Sequence, residues 1–468
     1  MSNWVLAIGF LYGCGLILAL VRARHSTRND NDFLTGGANI GSLVGGLTVA
    51  ATLFSTFTLM GMPDLFRKHG VGAWIFLGVA DCALAFVALW FGVNIRRRIQ
   101  SNKFRGMSNW LKTQYGSRHA ANVYLLGVFV FMVPYVAIQI KGVSMFLNAA
   151  LPGAMPIWAW SVAIVSIIVL YSEAGGLKGI VFADSIQGFM LFIATVIVAT
   201  RCIQHFEGIS SMFDAVESTQ AALLSLPGPS GLFSTQFLLA SIIAIICIPI
   251  TQPQMTVRLV IMKNTRSLAR MAILLGIFSF VLILATLPIG FYGAVLYPNH
   301  STAEFVIQVL VHDQIPLIAA IIVIGLIGAA ISTADSQLFA LGTECRSCIE
   351  STKLRTVSVV RGAVVLFAVA ALVVSLVSDT HIVLLARTSF SGTSLLAPMI
   401  LAAVFFPSRL HRVVPIITGI GLIVFLISMS SPIPNSLFGV RVELALFIVI
   451  CVTTIFATKR LGKIVSDG

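Results

Sequence analysis

Long apolar stretches, each cut off by a short polar or basic run, recur from one end of the chain to the other. A helix needs roughly 20 apolar residues to cross a bilayer core of about 30 Å. Such stretches fall at about 3–21, 42–63, 72–95, 121–150, 156–172, 180–203, 234–253, 271–297, 315–340, 358–378, 382–406, 413–430 and 438–457. They are too long and too evenly apolar for barrel strands, and in lipid only a helix or a closed barrel satisfies its own backbone. The pattern predicts an all-α polytopic membrane protein with about 13 transmembrane helices.

Two stretches break the pattern. "TVAATLFSTFTLMGMP" (Thr48–Pro63) carries Thr48, Thr52, Ser55, Thr56 and Thr58, and "AIICIPITQPQM" (Ala244–Met255) carries Pro249, Thr251, Gln252, Pro253 and Gln254. Proline and clustered hydroxyls free backbone carbonyls, which mid-membrane helices tolerate where those groups line a cavity or hold an ion. These are the second and seventh spans, and interrupted helices at matching places in two halves point to an inverted-repeat secondary transporter. Pro-kinked structural helices are the plain alternative. A third polar cluster lies in "GAAISTADSQL" (Gly328–Leu338), where Ser332, Thr333, Asp335 and Ser336 interrupt the ninth span. A carboxylate at membrane depth is costly and marks a functional site by default.

Composition agrees with the pattern: 58% of the 468 residues are hydrophobic and 10% charged, against about 25% charged in soluble proteins. The net charge of +13 is topological and does not indicate nucleic acid. With the N-terminus outside, 24 of the 30 basic residues fall on inner loops and Arg67, Lys68, Arg201 and Arg441 outside, with Lys141 and Arg387 inside spans. The positive-inside rule then predicts a multi-pass plasma (inner) membrane protein, N-terminus out and C-terminus cytoplasmic. Anionic inner-leaflet lipid is the expected counterpart of the basic loops.

The first 21 residues lack a basic leader and run straight into Arg22, Arg24 and Arg28, so they read as a retained helix and not a cleaved signal. The cysteines are scattered; Cys345 and Cys348 share a loop with no second pair, and read as ordinary thiols. No soluble domain is evident, the longest loops being 96–120 and 204–233, and the stretch after Thr458 is too short for a kinase.

"GGLKGIVFADSIQG" (Gly175–Gly188), "GLIGAAISTADSQL" (Gly325–Leu338) and, more loosely, "QPQMTVRLVIMKN" (Gln252–Asn264) resemble signature segments of the sodium/solute symporter family, in order along nearly the whole chain. The resemblance implies the leucine-transporter-type fold of five plus five inverted helices, with one extra helix before and two after. It divides the chain into a first helix and linker (1–41), a first repeat (42–203, spans 2–6), an outer loop (204–233), a second repeat (234–406, spans 7–11) and two last helices with a short tail (407–468). It also implies a sodium-coupled symporter importing a small organic solute by alternating access.

Carried over residue by residue, the family's main sodium site falls on carbonyls of Ala51, Phe54 and Ala329 and hydroxyls of Ser332 and Thr333. Residues 329, 332 and 333 share one helix face, and hard oxygen ligands without several carboxylates suit a monovalent cation. Hydroxyls bonding back to their own helix are the alternative. Asp184 occupies the family's acidic position, and with Asp335 and Ser336 it is the expected site of a second sodium or of a proton. Asp335 departs from a pattern that has a hydroxyl there, and two carboxylates either strengthen a cation site or leave one protonated. The rival reading pairs both acids with basic residues at the cytoplasmic helix ends. Leu53 stands where some members carry an Asp, so their substrate preference does not transfer.

Ser55 and Thr58 match hydroxyls that contact substrate in relatives, and Gln139 is a further polar candidate. Lys141 sits about nine residues from the outer end of the fourth span, some 13 Å deep by helix rise, and resembles a basic residue that meets a substrate carboxylate in sialic-acid members. The expected solute is therefore carboxylate-bearing. The structural rival is an ion pair with Asp81, at equal depth on the third span. A solute sensor of the same fold, signalling to a separate protein, is the alternative function. No protein partner is legible, and no enzyme motif occurs in the spans.

Overall fold

The computed structural model describes residues 2–26, 39–99, 104–349, 356–378, 382–407, 410–429, 436–437 and 439–458. Of the residues behind the charge argument, Arg28, Lys103, Lys353, Arg355, Arg409, Lys459, Arg460 and Lys463 lie outside the described residues. The chain is helical: α1 Ser2–Ser26, α2 Ser42–Leu53, α3 Met62–His69, α4 Ala80–Arg98, α5 Met107–Tyr115, α6 Arg118–Ala150, α7 Ile157–His205, α8 Ile209–Gln220, α9 Thr235–Ile246, α10 Ile248–Thr251, α11 Pro253–Ile261, α12 Thr265–Leu296, α13 Thr302–Ile307, α14 Pro316–Cys348, α15 Thr356–Val377, α16 Ile382–Ser394, α17 Ala397–Phe405, α18 Val413–Met429 and α19 Val442–Phe456. A two-residue hairpin, Ser436–Leu437 against Val440–Arg441, is the sheet among the described residues.

Seven of these helices are long and apolar enough to cross a membrane, or nine if each of two bent pairs counts as one span, among the described residues. Shorter apolar helices are Trp4–Leu18, Ile157–Leu170, Thr302–His312, Val413–Met429 and Val442–Phe456, the third of them in a segment expected to be loop.

The breaks have local causes. The pair Ser42–Leu53 and Phe57–His69 is bent by 58°, with Phe54 extended (φ −93°, ψ 119°) and a π-helical turn at Phe57–Gly61. The pair Thr235–Thr251 and Pro253–Ile261 is bent by 53°. There Gln252 is extended (φ −91°, ψ 123°) because the proline ring that follows disfavours helix at the residue before it. In α7 the interruption is Gly176, at φ 57°, a left-handed backbone that glycine adopts without a Cβ clash.

These breaks set the site. A Cβ on Gly188 of α7 would lie 3.0 Å from Ala51 Cβ and 3.2 Å from the Leu47 carbonyl, so α7 and α2 touch backbone to backbone. On the other side, a Cβ on Gly142 of α6 would stand 2.3 Å from Thr56 Cγ2. The unwound stretch is thus clamped between α6 and α7. Arg96, at the end of α4, donates to the carbonyls of Leu259, Val260 and Met262 and so caps α11. Three helices, α5, α8 and α13, fall in segments expected to be loop. The start of α5 is held by Glu344 of α14, which accepts from the backbone N–H groups of Met107 and Ser108 at 2.8 Å each. The start of α13 is fixed by a capping box of Ser301 and Glu304.

Candidate functional site

Ala51 ends the first half of the bent second span, and its carbonyl oxygen meets the ninth span, α14. Thr333 Oγ1 lies 3.2 Å from it and Ser332 Oγ 3.3 Å. All three residues are buried. Two oxygens each about 2.4 Å from one ion, at a right angle, stand about 3.4 Å apart; the cluster therefore has the spacing of a hard-cation cage. Phe54, extended at the break, and Ala329, one turn before Thr333, are buried beside it. The structure so brings Ala51, Ser332 and Thr333 of the five predicted sodium-site residues into contact, with Phe54 and Ala329 close to them in the chain.

Ser332 reaches further. Its Oγ is 2.6 Å from Asp184 Oδ1. A hydroxyl has one proton, and the shorter, charge-assisted bond takes it. The lone pairs of Ser332 are then left on the side of the Ala51 carbonyl, which is the orientation a cation needs.

Asp184 is saturated. Besides Ser332, Thr48 Oγ1 donates to Oδ2 at 2.7 Å, Ser336 Oγ lies 3.3 Å away, and Arg258 Nη2 closes an ion pair at 2.7 Å. The guanidinium also donates to Thr48 Oγ1, Ser336 Oγ and the Gln254 carbonyl. The charge pattern predicts Arg258 in an inner loop; α11 continues past Pro253 instead, and the side chain is only 2% exposed. A buried arginine offers a fork of fixed donors, and here nearly all of it is used. Asp335, three residues after Ser332 on the same helix, is fully buried and neither oxygen has a hydrogen-bond partner among the described residues. The two acids expected to act together thus differ completely in their surroundings.

The predicted solute contacts converge on the unwound backbone. Thr58 Oγ1 accepts from the Ser55 N–H at 3.2 Å, Gln139 Oε1 from the Thr56 N–H at 3.3 Å, and Ser55 Oγ from the Phe57 N–H at 3.2 Å. All three satisfy the amide groups that open the second half of the span, the positive end of its dipole. Beside them is a cavity lined by Leu53, Phe54, Phe57 and Thr58 on one side, Leu77 and Asp81 on the next span, and Tyr135, Ile248 and Phe390. Lys141 is not brought there. Its helix turns Tyr135, Gln139 and Gly142 toward the break, and Lys141 Nζ donates to the Ser378 carbonyl at 2.6 Å. The ion pair with Asp81 is not formed: equal depth does not place the two on facing sides.

Similarity to known proteins decides the family. The sodium:solute symporter family profile matches residues 33–413. This chain belongs to the sodium:solute symporter family. A sodium/pantothenate symporter of Haemophilus influenzae is 24% identical over 345 residues, 71% of this chain and 68% of that protein. A sodium/proline symporter of Staphylococcus aureus is 23% identical over 502 aligned positions, 99% of this chain and 94% of its own length. The fold is shared with a Na+-coupled sialic acid symporter in a substrate-bound outward-open state, at TM-score 0.76, 15% identity and 98% of both chains. The protein is a sodium-coupled symporter of leucine-transporter-type architecture, and sodium is its coupling ion. The junction of this symporter offers a neutral carbonyl and two hydroxyls, a donor set that fits that ion.

Proposed function

We propose that this symporter imports a small, carboxylate-bearing organic solute by alternating access, with sodium held by Ala51, Phe54, Ala329, Ser332 and Thr333. The supporting observation is the meeting of Ala51 O with the hydroxyls of Ser332 and Thr333 at 3.2–3.3 Å across a helix break. Sodium bridging α2 to α14 favours the arrangement in which the two are joined, and a ligand shifts a conformational equilibrium only through such differential contacts. Asp184 positions the Ser332 hydroxyl for that ion, while Arg258 supplies the compensating charge at Asp184. A second cation or a proton then belongs at Asp335, with Ser336 beside it. The thirteen-span topology, the 42–203 and 234–406 repeats and the N-out, C-in orientation complete this reading.

The solute carboxylate meets the hydroxyls of Ser55 and Thr58, whose oxygens accept from backbone amides and whose protons are left to donate, at the N-terminus of a half-helix, which favours anions. Proline and pantothenate, which relatives carry by name, are both carboxylates. Lys141, whose ammonium is engaged at Ser378, has no part in this contact. The test is uptake of a radiolabelled carboxylate panel by the purified chain in liposomes, with and without an inward sodium gradient. Gradient-driven accumulation of at least one member is expected; equal uptake with and without sodium across the panel would refute symport.

A further inference from the structure

Asp81 is 4% exposed, sits in the third span just after a π-helical turn at Trp74–Val79, and lines the cavity at the helix break. Inserted turns of this kind often mark functional sites. Among the described residues it has no hydrogen bond and no ion pair. A carboxylate taken out of water needs a positive partner or a proton. The basic groups of the nearby spans are committed: Arg258 to Asp184 and Lys141 to the Ser378 carbonyl. An empty cavity then leaves Asp81 to hold its own proton, and a positive charge that pairs with its ionised form has to enter the cavity.

Sodium is a poor candidate for that charge. A hard cation wants several oxygens, and apart from Asp81 the wall offers two hydroxyls already in use. Thr58 accepts from Ser55 N–H, and the Tyr135 hydroxyl lies 3.4 Å from the Leu53 carbonyl. The rest of the wall is apolar and rich in aromatic rings: Phe54, Phe57, Tyr135 and Phe390, the last two with ring centroids 5.0 Å apart. A buried carboxylate among aromatic rings is the environment that binds an organic cation, by charge at one point and ring quadrupole around it.

We propose that Asp81 recognises a cationic nitrogen, a protonated or quaternary amine, on the transported solute. The inference rests on the cavity being the solute site of the proposed symport. With the Ser55 and Thr58 hydroxyls taking the carboxylate, Asp81 makes the preferred solute a zwitterion and sets specificity against acids that lack the amine.

The experiment is sodium-driven uptake into proteoliposomes of matched pairs: proline with cyclopentanecarboxylate, alanine with propionate, phenylalanine with 3-phenylpropionate, and glycine betaine with 3,3-dimethylbutanoate. At least one amine-bearing member should be taken up at least tenfold better than its amine-free partner. D81N should erase that preference, D81E should recover part of it, and both should keep the wild-type sodium dependence of thermal stability, which shows them folded. Equal uptake within the pairs, or D81N retaining the preference, overturns the inference while leaving symport intact. So does a D81N change confined to sodium affinity. Absence of sodium-driven uptake for every member counts against symport itself, and the inference falls with it.

Discussion

Asp184 and Asp335 lie on facing helices, α7 and α14, and both are 0% exposed. One receives hydrogen bonds from Thr48, Ser332, Ser336 and Arg258; the other receives none among the described residues. Burial alone therefore does not define what a membrane carboxylate does. An ionised acid at this depth needs its charge matched, and Asp184 has a guanidinium and three hydroxyls to match it. Asp335 has the depth without the match, which suits a group that binds something mobile or carries its own proton. The contrast predicts opposite responses to the same isosteric change.

The largest effect is expected at Asp184. Changing it to Asn strands the buried Arg258 charge, and breaking one side of a buried pair costs about 3–5 kcal/mol. D184N should lower thermal stability by that amount and raise the sodium concentration for half-maximal uptake, because Ser332 loses the acceptor that orients it. Removing both charges, D184N with R258Q, should recover most of the stability but not the sodium affinity. Full recovery of both would mean that Asp184 serves only as a partner for Arg258, and a stable D184N would break the comparison at its first term.

The sodium junction comes next. S332A and T333A each remove one oxygen from a site of about five, which is worth about 1–3 kcal/mol, or roughly tenfold or more in apparent sodium affinity. S332A should be the more damaging, since Ser332 joins the cage to Asp184 as well as to Ala51. Uptake measured against sodium concentration checks both. A T333A effect that exceeds S332A would show that the link to Asp184 contributes little.

The apolar runs make most helices legible, and the reasons some features stay hidden are geometrical. The bend at Gln252 follows from the proline after it, and the 329, 332, 333 spacing by itself puts three cage residues on one face. Arg258 is misread as a loop residue because the apolar run breaks at Pro253. Its flanks Val257, Leu259, Val260 and Ile261, and the i, i+4 relation to Gln254, are the signal of a buried arginine on a continuing helix. For Lys141 the hydropathy pattern gives the right depth and the wrong direction. Two residues past Gln139 is a turn of about 200° round the helix, so the two point apart, and the polar contact at the break goes to Gln139. Depth alone singles out Asp81 only as a match for Lys141. That it shares a cavity with Leu53 and Phe57 is a tertiary fact, set by how the third span packs on the broken second one.

The smallest change is expected at Asp335, and it sharpens the contrast most. Its oxygens make no hydrogen bonds among the described residues, so in the absence of a bound cation the favoured form is the neutral acid, because an unmatched carboxylate in the interior is far more costly. Asparagine has the same shape and is also neutral. D335N should therefore change thermal stability in sodium-free buffer by less than about 1 kcal/mol, in the range of an uneventful substitution, where D184N costs several times as much. Stabilisation well beyond that would mean Asp335 is ionised and strained in the parent. Transport separates the remaining roles. If Asp335 takes a second sodium, the parent shows a Hill coefficient for sodium above one that falls to one in D335N. If it carries a proton, the parent's uptake depends on external pH at fixed sodium and the mutant's does not. A parent with a Hill coefficient of one and a flat pH response assigns Asp335 to neither ion, and leaves Asp184 as the single acid that sodium coupling uses.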